Sequence, residues 1–185
     1  MWISIALLAC TMAPEVRWVP GSGDHLREVA GYRVESYRDA GLGGLDWTVT
    51  GDGPSAGWEH HQLWLYDAPL EATTDLAVAS DAVAFMMDGD RNDGWATFLV
   101  DGQEVGSFDM YGRRNQTLVV EGLSLRRHTL TVRVDGIKRP RARAAHVALY
   151  GGSALVRDVY VGRQAPGGLA RVQTNSASSF DALGL

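Results

Sequence analysis

The chain has 185 residues, of which 22 are glycine and one is cysteine, with a formal net charge of −5. That length suits one domain with flanking tails and can bury an adequate core without covalent staples. The acidic balance disfavours broad nucleic-acid binding, and a lone cysteine excludes an intrachain disulfide.

Residues 1–13, MWISIALLACTMA, are apolar and uncharged and end in small side chains. They are expected to be a signal segment, short and without a basic start, in a secreted or cell-surface protein. Cleavage after Ala13 would release a soluble protein. Alternatively, Leu7-Leu8-Ala9-Cys10 resembles a bacterial lipobox with Cys10 as a lipid anchor, although Leu8 is not the usual small residue there. A third reading is a buried first strand of a cytosolic protein. The segment is too short to span a bilayer.

Pro20, Gly21, Ser22 and Gly23 mark residues 14–30 as a linker or lead-in. The β-sandwich domain is expected over 31–163. Short strands are predicted at 32–37, 46–50 and 58–66, separated by glycine-rich turns. Pro69 puts the segment after it at a sheet edge or in a loop. Residues 76–79 and 82–87 continue the strand rhythm.

Residues 82–134 organise the rest. Val83, Phe85 and Met87 alternate, as do Ala96, Phe98 and Val100, which is the period of a half-buried strand. Asp101-Gly102 then marks a hairpin, because a type I′ turn needs positive φ at both central residues. A strand at 118–120, a turn at Glu121-Gly122 and a strand at 129–134 complete an antiparallel meander. Leu130, Val132 and Val134 face the core, and Thr131 and Arg133 face away. A strand at 146–150 ends at Gly151-Gly152, and 154–161 forms a further strand. Residues 164–185 shift to Gly, Ala, Ser and Gln and read as a flexible C-terminal tail. No long helical period occurs. The fold class is all-β, an antiparallel β-sandwich or jelly roll.

The stretch 83–149 carries landmarks in a characteristic order: Gly94, Val100-Asp101-Gly102, Phe108-Asp109-Met110-Tyr111, Glu121-Gly122-Leu123 and His128-Thr129-Leu130-Thr131-Val132. It resembles a recurrent module of secreted bacterial proteins with the galactose-binding-like jelly-roll fold, over a little over a third of the chain. The resemblance implies a β-sandwich and glycan binding, since such carbohydrate-binding modules often sit beside glycoside hydrolases or in cell-surface proteins. In the family, the loop before the second strand is rich in Gly and Pro. Here it is residues 88–93, so no loop-borne ligand site carries over.

Asp88, Asp90 and Asn92 alternate in that loop, a pattern that offers oxygen ligands to a hard cation such as a structural Ca²⁺. Asp93 and Leu99 stand where an EF-hand needs Gly and Glu, so the loop is not an EF-hand. The competing reading is a solvated turn. His60 and His61, adjacent on a strand, point to opposite faces and cannot chelate together. His128 and Tyr111 read as structural. No nucleophile motif or phosphate loop appears, so the chain reads as a binder and not an enzyme.

A sugar ring stacks on indole while its hydroxyls need directional donors and acceptors. Arg91, Asn92, Asp93 and Trp95, with Trp47 and Trp58, are therefore the candidate ligand-binding residues; Trp64 reads as packing. Residues 138–143, KRPRAR, either contact an anionic polysaccharide or phosphate or form a solvated loop. The expected function is a non-catalytic, exported module binding cell-surface or extracellular glycan. The alternatives are a structural or adhesive surface domain with protein partners, and an accessory domain of a glycan-acting enzyme.

Overall fold

A computed structural model describes residues 13–22, 26–35, 47–51, 56–59, 62–66, 69–161 and 170–173, with backbone alone for 56–59, 158–161 and 170–173. The expected signal segment 1–13, including Cys10, lies outside the described residues except for Ala13. In chain order the described strands are β1 (Glu15–Pro20), β2 (Glu28–Val29), β3 (Tyr32–Val34), β4 (Thr48–Gly51) and β5 (Ala56–Glu59). There follow β6 (Gln62–Leu65), β7 (Leu70–Asp75), β8 (Ser80–Met87), β9 (Trp95–Val100) and β10 (Gln103–Asp109). The last are β11 (Gln116–Arg126), β12 (Thr129–Val134), β13 (Val147–Val156), β14 (Asp158–Val161) and β15 (Ala170–Gln173).

Two antiparallel sheets pack face to face as a β-sandwich. The first runs β1-β11-β8-β13-β3-β2, with the β5–β6 hairpin also joined to β13 through β6. The second runs β10-β9-β12-β7-β4. The strands β14 and β15 pair with each other. The alternation expected from sequence fills the interior. Val83, Phe85 and Met87 face Ala96, Phe98, Val100, Leu130, Val132 and Val134, all buried in one cluster. Phe85 and Phe98 meet edge to face with centroids 5.0 Å apart, the geometry that ring quadrupoles favour.

Several local expectations are corrected. Residues 82–134 are not a meander: β8 and β11 lie in the first sheet, and β9, β10 and β12 in the second. Residues 58–66 are not one strand, because Glu59 pairs with Gln62 and Trp58 with Leu63 in a tight hairpin. The segment after Pro69 is neither edge nor loop; β7 lies between β12 and β4, with Pro69 just before it, where its missing N–H interrupts no ladder. Gly122 and Gly151 do not end strands. Each sits at a register shift within β11 or β13, a bulge that bends the strand without stopping it.

The stretch 14–30, expected as linker or lead-in, contains β1, which pairs with β11 from Glu15 to Pro20. Its Trp18 reaches into the sandwich and meets Phe98 and Phe108 edge to face. The proline ends a six-residue edge strand, a place where Pro is tolerated. Next to it, β2 and β3 bring Val29, Tyr32 and Val34 against Ala82, Ala84, Met86, Val119 and Leu155 on the outer face of the first sheet. β8 is thus buried on both faces from Ala82 to Met87. Of the tail 164–185, only Ala170–Gln173 is described, as β15.

Candidate functional site

One end of the sandwich gathers three connections: 88–94 between β8 and β9, 110–115 between β10 and β11, and 135–146 between β12 and β13. The register places them together, because Gln116 and Leu149 both pair with Met87, and Val134 pairs with Ala96. Backbone bonds then lock them. Gly89 N donates to Arg113 O (2.9 Å), Gly112 N to Asp90 O (2.8 Å), Met110 N to Gly94 O (2.9 Å) and Trp95 N to Ile137 O (2.8 Å). His146 N donates to Asn92 O (3.3 Å), and Gly94 N to His146 O (2.9 Å). A Cβ at Gly94 would lie 2.4 Å from Ile137 O and 3.0 Å from Ala145 Cα. Only glycine permits that approach, so this landmark glycine is a packing requirement.

Side chains complete the loop. Asp88 accepts from Gln62 Nε2 (2.8 Å) and Tyr150 OH (3.3 Å). Asp90 accepts from the Asn92 backbone N–H (2.5 Å) and from Asn92 Nδ2 (3.2 Å). Asp93 Oδ2 accepts from Asp90 N (2.7 Å), while its buried Oδ1 has no partner. Burial, with Asp90 and Asp88 adding negative charge, pushes the Asp93 carboxyl up to about 8 although the Asp90 N–H bond opposes this. Asp93 is therefore uncharged at neutral pH.

Of the three residues expected to offer ligands to Ca²⁺, Asp90 and Asn92 bond each other, while Asp88 is engaged by Gln62 of β6 and Tyr150 of β13. Among the described residues, no three His, Cys, Asp or Glu side chains are placed to hold a metal ion. Asn92 and Asp93 serve the loop itself, and Arg91 is exposed beside them.

Trp95 is 38% exposed and stands on the outer face of the second sheet. Its partner across the ladder is Asp109 on β10, so the two side chains are neighbours on that face. Asp109 Oδ1 accepts from Tyr111 N (3.0 Å) and its Oδ2 accepts from Arg139 Nε. The Arg139 guanidinium lies 5.7 Å from the centre of the Tyr111 ring. Ile137, whose carbonyl holds Trp95 N, is 58% exposed. On the other flank of the loop, Trp64 stacks on Tyr66, and His146 meets Tyr66 edge-on at 4.9 Å.

Trp47 is half-buried and packs against the main core, with its Nε1 buried. The sequence pattern misses this because a short strand with one aromatic does not reveal its inward face. The side chain of Trp58 lies outside the described residues. Sequence reasoning does not single out Asp109, Ile137 and Arg139 as site residues. The basic run 138–143 is the available signal, but its proximity to Trp95 arises from strand pairing and not from spacing.

No family model matches the chain, and no curated protein matches it. A solved structure of a Paenibacillus xanthan lyase is similar at 14% identity and a TM-score of 0.38, over 84% of this chain and 15% of that one.

Proposed function

We propose that the chain is a non-catalytic carbohydrate-binding module of the galactose-binding-like jelly-roll type. In this reading it is exported, on the strength of the apolar segment 1–13, and docks glycan at the loop end of the sandwich. One observation carries the proposal: Trp95 presents an exposed indole beside a rigid set of polar groups. An apolar wall with a few fixed donors and acceptors is what small polar ligands require. A structural surface domain would be favoured by burial of every tryptophan; Trp95 is the counter-observation.

The test is retention on immobilised polysaccharides. Trp95→Ala is expected to abolish retention while leaving the β-rich circular dichroism spectrum and melting temperature unchanged. A folded variant that is still retained places the site elsewhere. A wild-type protein that binds none of a broad panel makes the surface-domain reading the better account.

A further inference from the structure

We propose that the glycan taken at Trp95 is acidic, a polysaccharide whose sugars carry carboxylate or sulfate groups, and that Arg139, Arg141, Arg143 and Arg91 recognise those groups. This rests on the carbohydrate-binding reading and specifies its ligand class.

The first support is position. Arg139 is anchored by Asp109, the direct cross-strand neighbour of Trp95, and yet is 56% exposed. Only its Nε is engaged by that bond. A guanidinium has five donors in a planar fork that matches a carboxylate or sulfate edge. One fixed cation therefore stands beside one exposed stacking surface, the two elements needed for a pyranose ring bearing an anionic substituent.

The second support is the loop's form. Ala142 N closes a turn onto Arg139 O at 3.0 Å. Pro140 occupies the position where its fixed φ favours such a turn, which puts Arg141 at its tip. Arg143 N bonds Arg91 O at 3.3 Å, bringing a fourth arginine to the same surface. Arg91, Arg141 and Arg143 are exposed, and no carboxylate among the described residues pairs with them.

The third support is the charge balance at this end. The whole chain carries −5, so a local excess of cations runs against the overall sign. The nearby acids do not cancel it. The three connections hold seven Lys and Arg against Asp88, Asp90, Asp93 and Asp135, and the adjoining Asp109 is paired with Arg139. A polyanion approaching this face meets the arginines first, and an exposed charge pattern of this kind acts strongly at low salt.

The test compares four probes by isothermal titration calorimetry: polygalacturonate, dextran sulfate, neutral dextran and inorganic polyphosphate. Binding to polygalacturonate or dextran sulfate is expected to exceed binding to dextran by about tenfold or more and to weaken as NaCl rises from roughly 50 to 500 mM. The preferred member of the first pair identifies carboxylate or sulfate as the recognised group. Because Arg139→Gln leaves Asp109 unpaired, the decisive variant is Arg141→Gln/Arg143→Gln, which breaks no ion pair. It should lose about tenfold for the acidic glycan, and Trp95→Ala should lose binding as well. Equal, salt-independent binding of dextran and the acidic probes overturns the acidic assignment and leaves carbohydrate binding standing. Polyphosphate binding as tight as the acidic glycan, indifferent to Trp95→Ala, overturns the sugar requirement. Binding to none of the four overturns both readings.

Discussion

Asp93 is 1% exposed, and its unpartnered Oδ1 would be a poor place for a charge. Burial raises its pKa to about 8, whereas an unfolded aspartate titrates near ~4. Between these values the folded protein holds a proton that the unfolded chain has released. Stability from this group is therefore full below about pH 4 and is lost as pH rises through about 8. Asn keeps an acceptor for the Asp90 N–H and removes the titration. Asp93→Asn is thus expected to flatten the stability profile on the alkaline side and to melt higher at pH 9, by on the order of 2–4 °C for each kcal/mol recovered. Thermal melts of both proteins from pH 5 to 9 check this, and parallel curves would refute it. A second aspartate behaves oppositely. Asp101 accepts from Thr129 N (3.0 Å), His128 Nδ1 (2.7 Å) and Arg126 Nη2 (2.6 Å). Partial burial pushes its carboxyl up, but these bonds outweigh that effect and hold it below the usual range.

At the scale of elements, the Asp101-Gly102 hairpin shows what local sequence specifies. Both residues have positive φ, 53° and 76°, as a type I′ turn demands. Val at 102 would force a β-branched side chain into the left-handed region, although no neighbour lies within 4 Å of its Cβ. Gly102→Val should therefore cost roughly 1–3 kcal/mol through backbone strain alone. Chemical denaturation would read this as a lower midpoint with an unchanged slope, and an unchanged midpoint would sink the turn assignment. Gly122 marks the limit of such reading. It too has positive φ, 79°, and its sequence predicts a turn, yet β11 runs on to pair Arg126 with Ser80. Local chemistry fixes the backbone angle; whether the strand reverses depends on which distant strand pairs with the residues beyond it. The same non-local dependence explains Pro69, the split of 58–66 and the exchange of strands between sheets, none of which alternation encodes. It also explains the site. The 88–95 loop is legible in the sequence as polar residues ending in an outward tryptophan. Its neighbours Asp109, Ile137 and Arg139 come from other connections and meet it only through pairing.

Across the whole molecule, the sandwich has an interior between its sheets and a second apolar layer outside the first sheet, under Val19, Leu26, Val29, Tyr32 and Val34. Glu121 is where this cover is fastened. It lies on β11 and accepts from Arg17 Nε of β1 (2.8 Å) and Tyr32 OH of β3 (2.5 Å), with Arg157 Nη2 3.3 Å away. Arg157 also donates to the Tyr32 hydroxyl and lies 4.6 Å from the centre of that ring. The Arg17 bond chiefly holds the Glu121 carboxyl below its ordinary range, with Tyr32 and Arg157 adding to it. Because the folded value is depressed, the stabilisation is present at neutral pH and disappears as pH falls through the folded value, below the ordinary glutamate range of about 4. Gln keeps the shape but not the charge, so the charge-assisted character of these bonds is lost. Glu121→Gln should lower stability at pH 7 by roughly 1–3 kcal/mol, and the gap to wild type should close as the pH is lowered below about 4. Urea melts at pH 7 and pH 3 measure both gaps. If the difference at pH 3 equals that at pH 7, the carboxylate is not what fastens the N-terminal cover. If the variant at pH 7 also binds a hydrophobic dye, the outer layer over Met86 and Leu155 has come loose while the inner core holds.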